Sequence, residues 1–204
     1  MQDNRVVTIL GRKRQGKTLL LGALIVRSRR VVALDPIGRF SLPAVCPTMP
    51  AVWAAVKADR RAAFRVRVPV RSVAEAETAV ANAYGVGGCL LAIDELGLWW
   101  SASTDRGALF TAVMVGGNRG LDIAANVRRP AEFPRAFTSQ TDVWCIFNTQ
   151  EPLDLAYIRQ ATRPDIADVC RTLPRLSFVQ YVCGEGGYTI RKLIIDTGGH
   201  ISLQ

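Results

Sequence analysis

Short apolar runs alternate with amphipathic stretches along this chain. Residues 6–10 form a β-branched run of strand length, and residues 19–26 are apolar and rich in helix formers. Residues 31–34 read as a second buried strand, ended by Asp35-Pro36, because proline stops a strand and fixes the turn. Residues 41–50 carry Pro43, Pro47 and Pro50 and read as a loop before a short helix over 51–57. Residues 64–70 alternate apolar with basic, predicting a half-exposed strand with Arg65 and Arg67 on one face. Ser72 caps a helix over 73–84 that has Glu75 in its first turn. Glycines 85, 87 and 88 break it, and residues 89–93 are continuously apolar up to Asp94-Glu95.

The second half repeats the alternation. It predicts a helix over 108–115, a strand over 121–127, a helix over 132–140, a strand over 142–148 and a helix over 154–161. Two antiparallel strands, 176–183 and 188–195, turn at the glycine-rich 184–187. Strand and helix in turn predict an α/β fold with a mainly parallel sheet flanked by helices, closed by a C-terminal β-hairpin. At 204 residues one domain spanning 1–204 is expected, large enough to bury a core.

Composition narrows the class. Residues 1–5 lead straight into a strand, so no secretory leader is expected. The apolar stretch 86–100 is interrupted by Asp94 and Glu95 and too short to span a bilayer, so no transmembrane segment is expected and the protein reads as soluble. Five cysteines lack C-x-x-C or zinc spacing, and Cys89 and Cys145 lie within apolar runs, as small core residues in a reducing setting do. His200 is a lone histidine near the chain end and reads as a surface residue. The net charge of +9 is uneven: residues 1–71 hold 15 Lys/Arg against 3 Asp/Glu, while residues 72–204 hold 11 against 14. A basic half fits nucleic-acid phosphates, or equally arginines that serve a nucleotide or a subunit contact. Arg65, Arg67 and the Arg39 region are candidates for DNA. For Arg65 and Arg67 the alternative is an edge strand charged against aggregation.

The chemistry concentrates in two motifs. Gly11-Arg12-Lys13-Arg14-Gln15-Gly16-Lys17-Thr18 fits G-x-x-x-x-G-K-[ST], the phosphate loop, and lies between a strand and a helix as that motif requires. Gly11 and Gly16 reach positive φ without steric cost, and successive backbone N–H groups cradle phosphate oxygens. Lys17 reaches the β- and γ-phosphates, and the Thr18 hydroxyl holds Mg²⁺. Asp94 and Glu95 end an apolar strand, the pattern in which Asp94 binds Mg²⁺ and Glu95 takes a proton from the attacking water. ATP and Mg²⁺ are therefore the expected cofactors. Asp35 ends another strand at the same edge and either faces ligand or caps the next turn. Asn126 lies where a polar group could sense the γ-phosphate. Trp99 and Trp100 read as core or interface residues rather than base-stacking ones.

The order of these motifs resembles the FtsK–HerA superfamily of DNA-pumping ATPases. The resemblance rests on 11–18, 31–36, 89–95 and 116–160, and covers about residues 5–182. Small size and no anchor bring it nearest the genome-packaging ATPases of tailless viruses with an internal membrane. It implies a RecA-like core, a homo-oligomeric ring (a hexamer) around double-stranded DNA, and ATP bound between subunits. It further implies capsid-vertex or viral membrane proteins as partners, in the host cytoplasm or the virion. Arg119 matches the region of the family's trans-acting arginine; contact with its own chain is the alternative. Where the family has glutamine before Arg-Pro, this chain has Arg128. Sensing then falls to Asn126, or Arg128 and Arg129 act in trans.

Three functions compete. The first is an ATP-driven translocase that packages a double-stranded viral genome. The second is a Zot-like, nucleotide-switched assembly protein of phage morphogenesis. The third is a small nucleotide kinase, disfavoured because the adjacent carboxylates suit water better than a substrate hydroxyl.

Overall fold

The computed structural model describes residues 5–100, 106–130, 134–196 and 201–204. Its centre is a single sheet of order β3-β2-β4-β5-β1-β6-β7-β8-β9. The strands are β1 (Val6–Leu10), β2 (Arg30–Leu34), β3 (Phe64–Val68), β4 (Leu90–Ile93), β5 (Asp122–Val127), β6 (Val143–Phe147), β7 (Ser177–Val182), β8 (Tyr188–Ile195) and β9 (Ile201–Leu203). β3 through β6 in that order are mutually parallel, and β7, β8 and β9 add antiparallel. The expected α/β architecture and the hairpin turning at 184–187 are both present.

Continuous apolar strands follow from cover on both faces. Val32, Leu34, Leu91 and Ile93 face one layer, made by α3 (Val73–Val86), α4 (Ala108–Val115), α6 (Pro152–Ala161) and α7 (Pro164–Thr172). Val31, Ala33 and Ile9 face the other, where Leu20, Leu21 and Ile25 of α1 (Lys17–Arg27) pack. One-residue alternation thus serves two cores, and both residues of each pair are apolar. Trp100 is buried in the first layer and donates its indole N–H to Glu77 Oε1. The thiols of Cys89 and Cys145 are buried too, and burial pushes each up to about 12.

Local chemistry sets the helix ends. Ser72 Oγ accepts from Glu75 N–H (3.2 Å), and Glu75 Oε2 accepts from Arg71 N–H (2.8 Å), closing the first turn of α3. α2 (Pro50–Ala58), α6 and α7 each begin with proline, whose missing N–H costs nothing in a first turn. Pro50 therefore opens a helix rather than ending the loop. α7 and β9 have no counterpart in the sequence reading; α7 is short and largely polar, with a periodicity too brief to stand out. Of the helix expected over 132–140, the described part is α5 (Arg135–Ser139); residue 132 and His200 lie outside the described residues.

β3 is an edge strand, with Arg65 exposed and Arg67 half-buried. Its outer side is covered at one point by the proline loop: Arg67 N–H donates to Pro43 O, and Val45 N–H to Arg67 O, both at 2.9 Å. The loop satisfies backbone groups that would otherwise template another strand.

Candidate nucleotide site

All six parallel strands end at one edge, and the turns that follow them carry the chemistry. In an open α/β sheet that edge is where ligands bind. Gly11 follows β1, Asp35 follows β2, Asp94-Glu95 follow β4, Arg128-Arg129 follow β5 and Asn148 follows β6.

The loop 11–18 is pinned from the antiparallel side. Gly11 has φ 142°, and a Cβ there would lie 2.7 Å from the Phe147 Cβ. Gly16 has φ 118°, and a Cβ would meet Leu176 and Leu193 at 3.0 Å. Both positions therefore need glycine for backbone and for space. Arg12 N–H donates to Asn148 O (3.1 Å), Leu176 N–H to Gln15 O (3.1 Å) and Arg175 Nε to Arg14 O (3.3 Å). Arg12 Nη1 also donates to Gln150 Oε1 (3.0 Å). Helix α1 then starts at Lys17 with no side-chain cap, leaving its first N–H groups and dipole end turned to the loop.

Lys17 is buried. Its ammonium donates to Gly11 O (2.7 Å) and Arg12 O (3.0 Å), and burial lowers its pKa to about 8, against the opposing pull of Glu95. Thr18 Oγ1 donates to Asp94 Oδ1 at 3.2 Å. Burial pushes the Asp94 carboxyl up, while hydrogen bonds from Asn126 and Thr18 hold it down. Asn126, itself buried, donates through Nδ2 to Asp94 Oδ1 and accepts the Glu95 N–H at Oδ1 (2.8 Å). One amide thus ties the two carboxylate residues together.

Glu95 takes a left-handed backbone, φ 55° and ψ 52°, which costs a non-glycine residue about 1–2 kcal/mol. Its carboxylate is gripped by Arg128, with Nε at 2.7 Å from Oε2 and Nη2 at 2.8 Å from Oε1. Such a two-point guanidinium–carboxylate contact fixes orientation as well as charge. The pairing holds the Arg128 pKa above its ordinary value.

The cleft over the loop is lined by Lys13, Arg14, Lys17, Thr18, Arg39, Glu95, Arg128 and Arg175. Six cations against one carboxylate make an electropositive pocket suited to a polyphosphate. Arg39 and Arg175 join this cleft although the sequence reading gave them no nucleotide role. They come from turns distant in sequence, and no local motif announces them. Arg129 lies beside Arg128 in an adjoining groove with Arg12, Lys13 and Gln150. Asp35 is buried and caps its own turn, accepting from Gly38 and Arg39 N–H at Oδ1 (2.8 and 2.9 Å) and Phe40 N–H at Oδ2 (2.9 Å).

Arg119 is not brought to this cleft within the chain. It lies before β5, at the amino ends of the strands, where Nη2 donates to Gly85 O (2.6 Å) and the guanidinium sits 5.8 Å from the Tyr84 ring.

No protein-family model and no curated protein matches the chain by sequence. Solved structures match it by shape. The genome packaging NTPase B204 of Sulfolobus turreted icosahedral virus 2, in complex with AMPPCP, overlays with TM-score 0.77 at 19% identity, over 96% of this chain and 100% of that one. VirB4 of Thermoanaerobacter pseudethanolicus gives 0.67 at 10% identity, over 96% and 91%. The N-terminal domain of zonular occludens toxin from Neisseria meningitidis gives 0.52 at 11%, over 92% and 93%. These neighbours agree with the FtsK–HerA resemblance at the level of fold. With its glycine loop, buried lysine and paired carboxylates at one sheet edge, the chain has the P-loop NTPase fold, in the form it takes in the viral packaging NTPase and in VirB4.

Proposed function

We propose that this protein is an ATP-hydrolysing motor that moves double-stranded viral DNA into a preformed capsid, working as a homo-oligomeric ring. The observation that carries the reading is whole-length overlap with a viral packaging NTPase in an AMPPCP complex, over a chain that sets an acid pair beside its phosphate loop. A hexamer, a capsid-vertex or viral-membrane partner, and a place in the host cytoplasm or virion belong to the same proposal.

ATP would lie along 11–18, with its phosphates in the cationic cleft. The Thr18 hydroxyl and Asp94 carboxylate, 3.2 Å apart, are hard oxygen donors that fit Mg²⁺ and would hold it. When bound, that ion neutralises charge on the β- and γ-phosphate oxygens. Lys17 exchanges its two carbonyl partners for phosphate oxygens. Glu95 accepts the proton of the attacking water. Asn126 keeps Asp94 and Glu95 in register. Arg128 fixes the orientation of the Glu95 carboxylate until a γ-phosphate competes for the guanidinium, which makes it the sensor in place of the family's glutamine. Arg119, far from its own cleft, and Arg129 are the candidates to complete a neighbour's site, where an arginine offsets charge on the transferred phosphoryl.

The test is ATP turnover with and without duplex DNA. Stimulation by duplex that vanishes in Glu95→Gln supports the motor. The overlap with the toxin domain favours a second reading, a nucleotide-switched assembly protein. Nucleotide binding with turnover indifferent to DNA would select that one.

A further inference from the structure

The edge of the sheet opposite the nucleotide cleft carries its own charge pattern. Arg27 and Arg29 flank the turn from α1 into β2, Arg30 begins β2, and Arg60 and Arg61 precede β3. Arg27, Arg29, Arg60, Arg61 and Arg65 are exposed. These turns are tied together rather than merely adjacent. Arg30 Nη1 donates to Arg60 O (2.9 Å), Arg65 Nε donates to Ser28 O (2.6 Å), and the Arg30 guanidinium lies 5.0 Å from the Phe64 ring. Beside them runs a groove whose far wall joins three glycines, Gly88 before β4 and Gly117 and Gly120 before β5, to Cys89, Leu90 and Asp122. Gly88 and Gly120 both have positive φ, and a Cβ on Gly120 would lie 3.2 Å from Gly88 Cα, so the wall carries no side chain at those two positions.

The acidic groups near this edge are already engaged. Asp59 accepts the Arg61 N–H (2.8 Å), and Asp122 accepts the Arg5 N–H (2.9 Å). None of Arg27, Arg29, Arg60 and Arg61 forms an ion pair with a described residue. Arg27, Arg29, Arg30, Arg60, Arg61 and Arg65 outnumber Asp59 and Asp122 at this edge, and a polyanion relieves the self-repulsion of such an excess of like charge. Guanidinium groups on the turns at this sheet edge, beside a groove lined in part by glycine backbone, suit the regularly spaced phosphates of a nucleic acid backbone.

We propose that the amino edge of the parallel sheet, centred on Arg27, Arg29, Arg60 and Arg61, binds the phosphate backbone of duplex DNA. This rests on the motor reading and adds where DNA sits: at the opposite end of the strands from ATP. β2 spans the gap with five residues, about 16 Å at roughly 3.3 Å each, from Arg30 to the turn at Asp35. The separation of Arg39 and Arg67 from Arg65 follows. Arg39 belongs to the nucleotide cleft, and Arg67 Nε is bound to Leu42 O (3.2 Å), so of the three Arg65 alone lies at the DNA edge.

The experiment compares duplex affinity against salt for the full chain, for Arg27→Gln/Arg29→Gln/Arg60→Gln, and for an equal charge change on the other helices, Arg135→Gln/Arg159→Gln/Arg171→Gln. Three lost phosphate contacts make the slope of log K against log salt about 2.7 less steep, with affinity near 0.1 M salt falling by at least about tenfold. Turnover without DNA stays at the wild-type level, which shows that the variant is folded. Replacing the same three arginines by lysine restores most of the binding. Equal loss in both glutamine sets, or no loss in the edge set, overturns the DNA edge while the motor stands. A wild-type chain that binds no duplex at all overturns the motor reading itself.

Discussion

The two ends of the parallel sheet handle charge in opposite ways. At the carboxyl edge Lys17, Asp94 and Asn126 are buried, and each has a partner within hydrogen-bonding reach. At the amino edge Arg27, Arg29, Arg60 and Arg61 are exposed, and none pairs with an acid among the described residues. Burying a charge is costly unless it is paired and hydrogen-bonded, so these buried groups must hold partners before any ligand arrives. Exposed charges carry no such requirement and act through their summed field on a mobile polyanion. A buried, hydrogen-bonded cluster and an exposed basic surface are thus built from turns of the same strands.

Substitutions should separate the two ends. The largest effect is expected for Glu95→Gln, which lowers kcat about 10²–10⁴-fold with ATP still bound, as loss of a proton acceptor does. Lys17→Ala removes the donor nearest the phosphates and costs about 10²–10³-fold in turnover. Steady-state ATPase assays check both, and duplex affinity should be unchanged in each. A parallel fall in DNA binding would break the division between the edges.

Asn126→Ala is expected to act on stability as well as rate. It leaves the Glu95 N–H without its acceptor and the buried Asp94 carboxylate with only the Thr18 hydroxyl, costing about 1–3 kcal/mol, read from the urea midpoint. A midpoint within experimental error of wild type would mean that water replaces the amide.

A further test concerns pH. The folded Lys17 pKa lies near 8, below its ordinary 10.5, so between those values the unfolded chain holds a proton that the folded chain has released. Stability rises with pH wherever the unfolded state binds more protons. The nucleotide-free wild type should therefore gain stability relative to Lys17→Met from about pH 8 to 10.5, measured by thermal melts of the two proteins. A constant difference across that window would mean that Lys17 is not desolvated.

The nucleotide loop was legible because its chemistry is local. Eight consecutive residues contain the glycines, the lysine and the threonine, and the flanking periodicities place them between strand and helix. Asp94-Glu95 were legible for the same reason, as the end of an uninterrupted apolar run. Asn126 was visible as a polar residue closing a strand, though not as the link between the two acids. Arg175 carried no signal and Arg39 was read for DNA instead, because their place in the cleft depends on which turns meet over the loop. Asp35 shows the converse: a carboxylate at the right edge that serves its own turn, with three backbone N–H donors already taken.

By itself the sequence determined the α/β class, the parallel sheet and the phosphate loop, since each follows from spacing along a few consecutive residues. The tertiary structure alone decided the order of the strands, which sets β1 between β5 and β6. It also decided the Arg128 grip on Glu95, the wall that Phe147, Leu176 and Leu193 place against the loop glycines, and the gathering of arginines at the far edge. The physical reason is range. Backbone geometry and periodicity are fixed between neighbours, whereas charge pairing and close packing are fixed between turns that meet only once the sheet has formed.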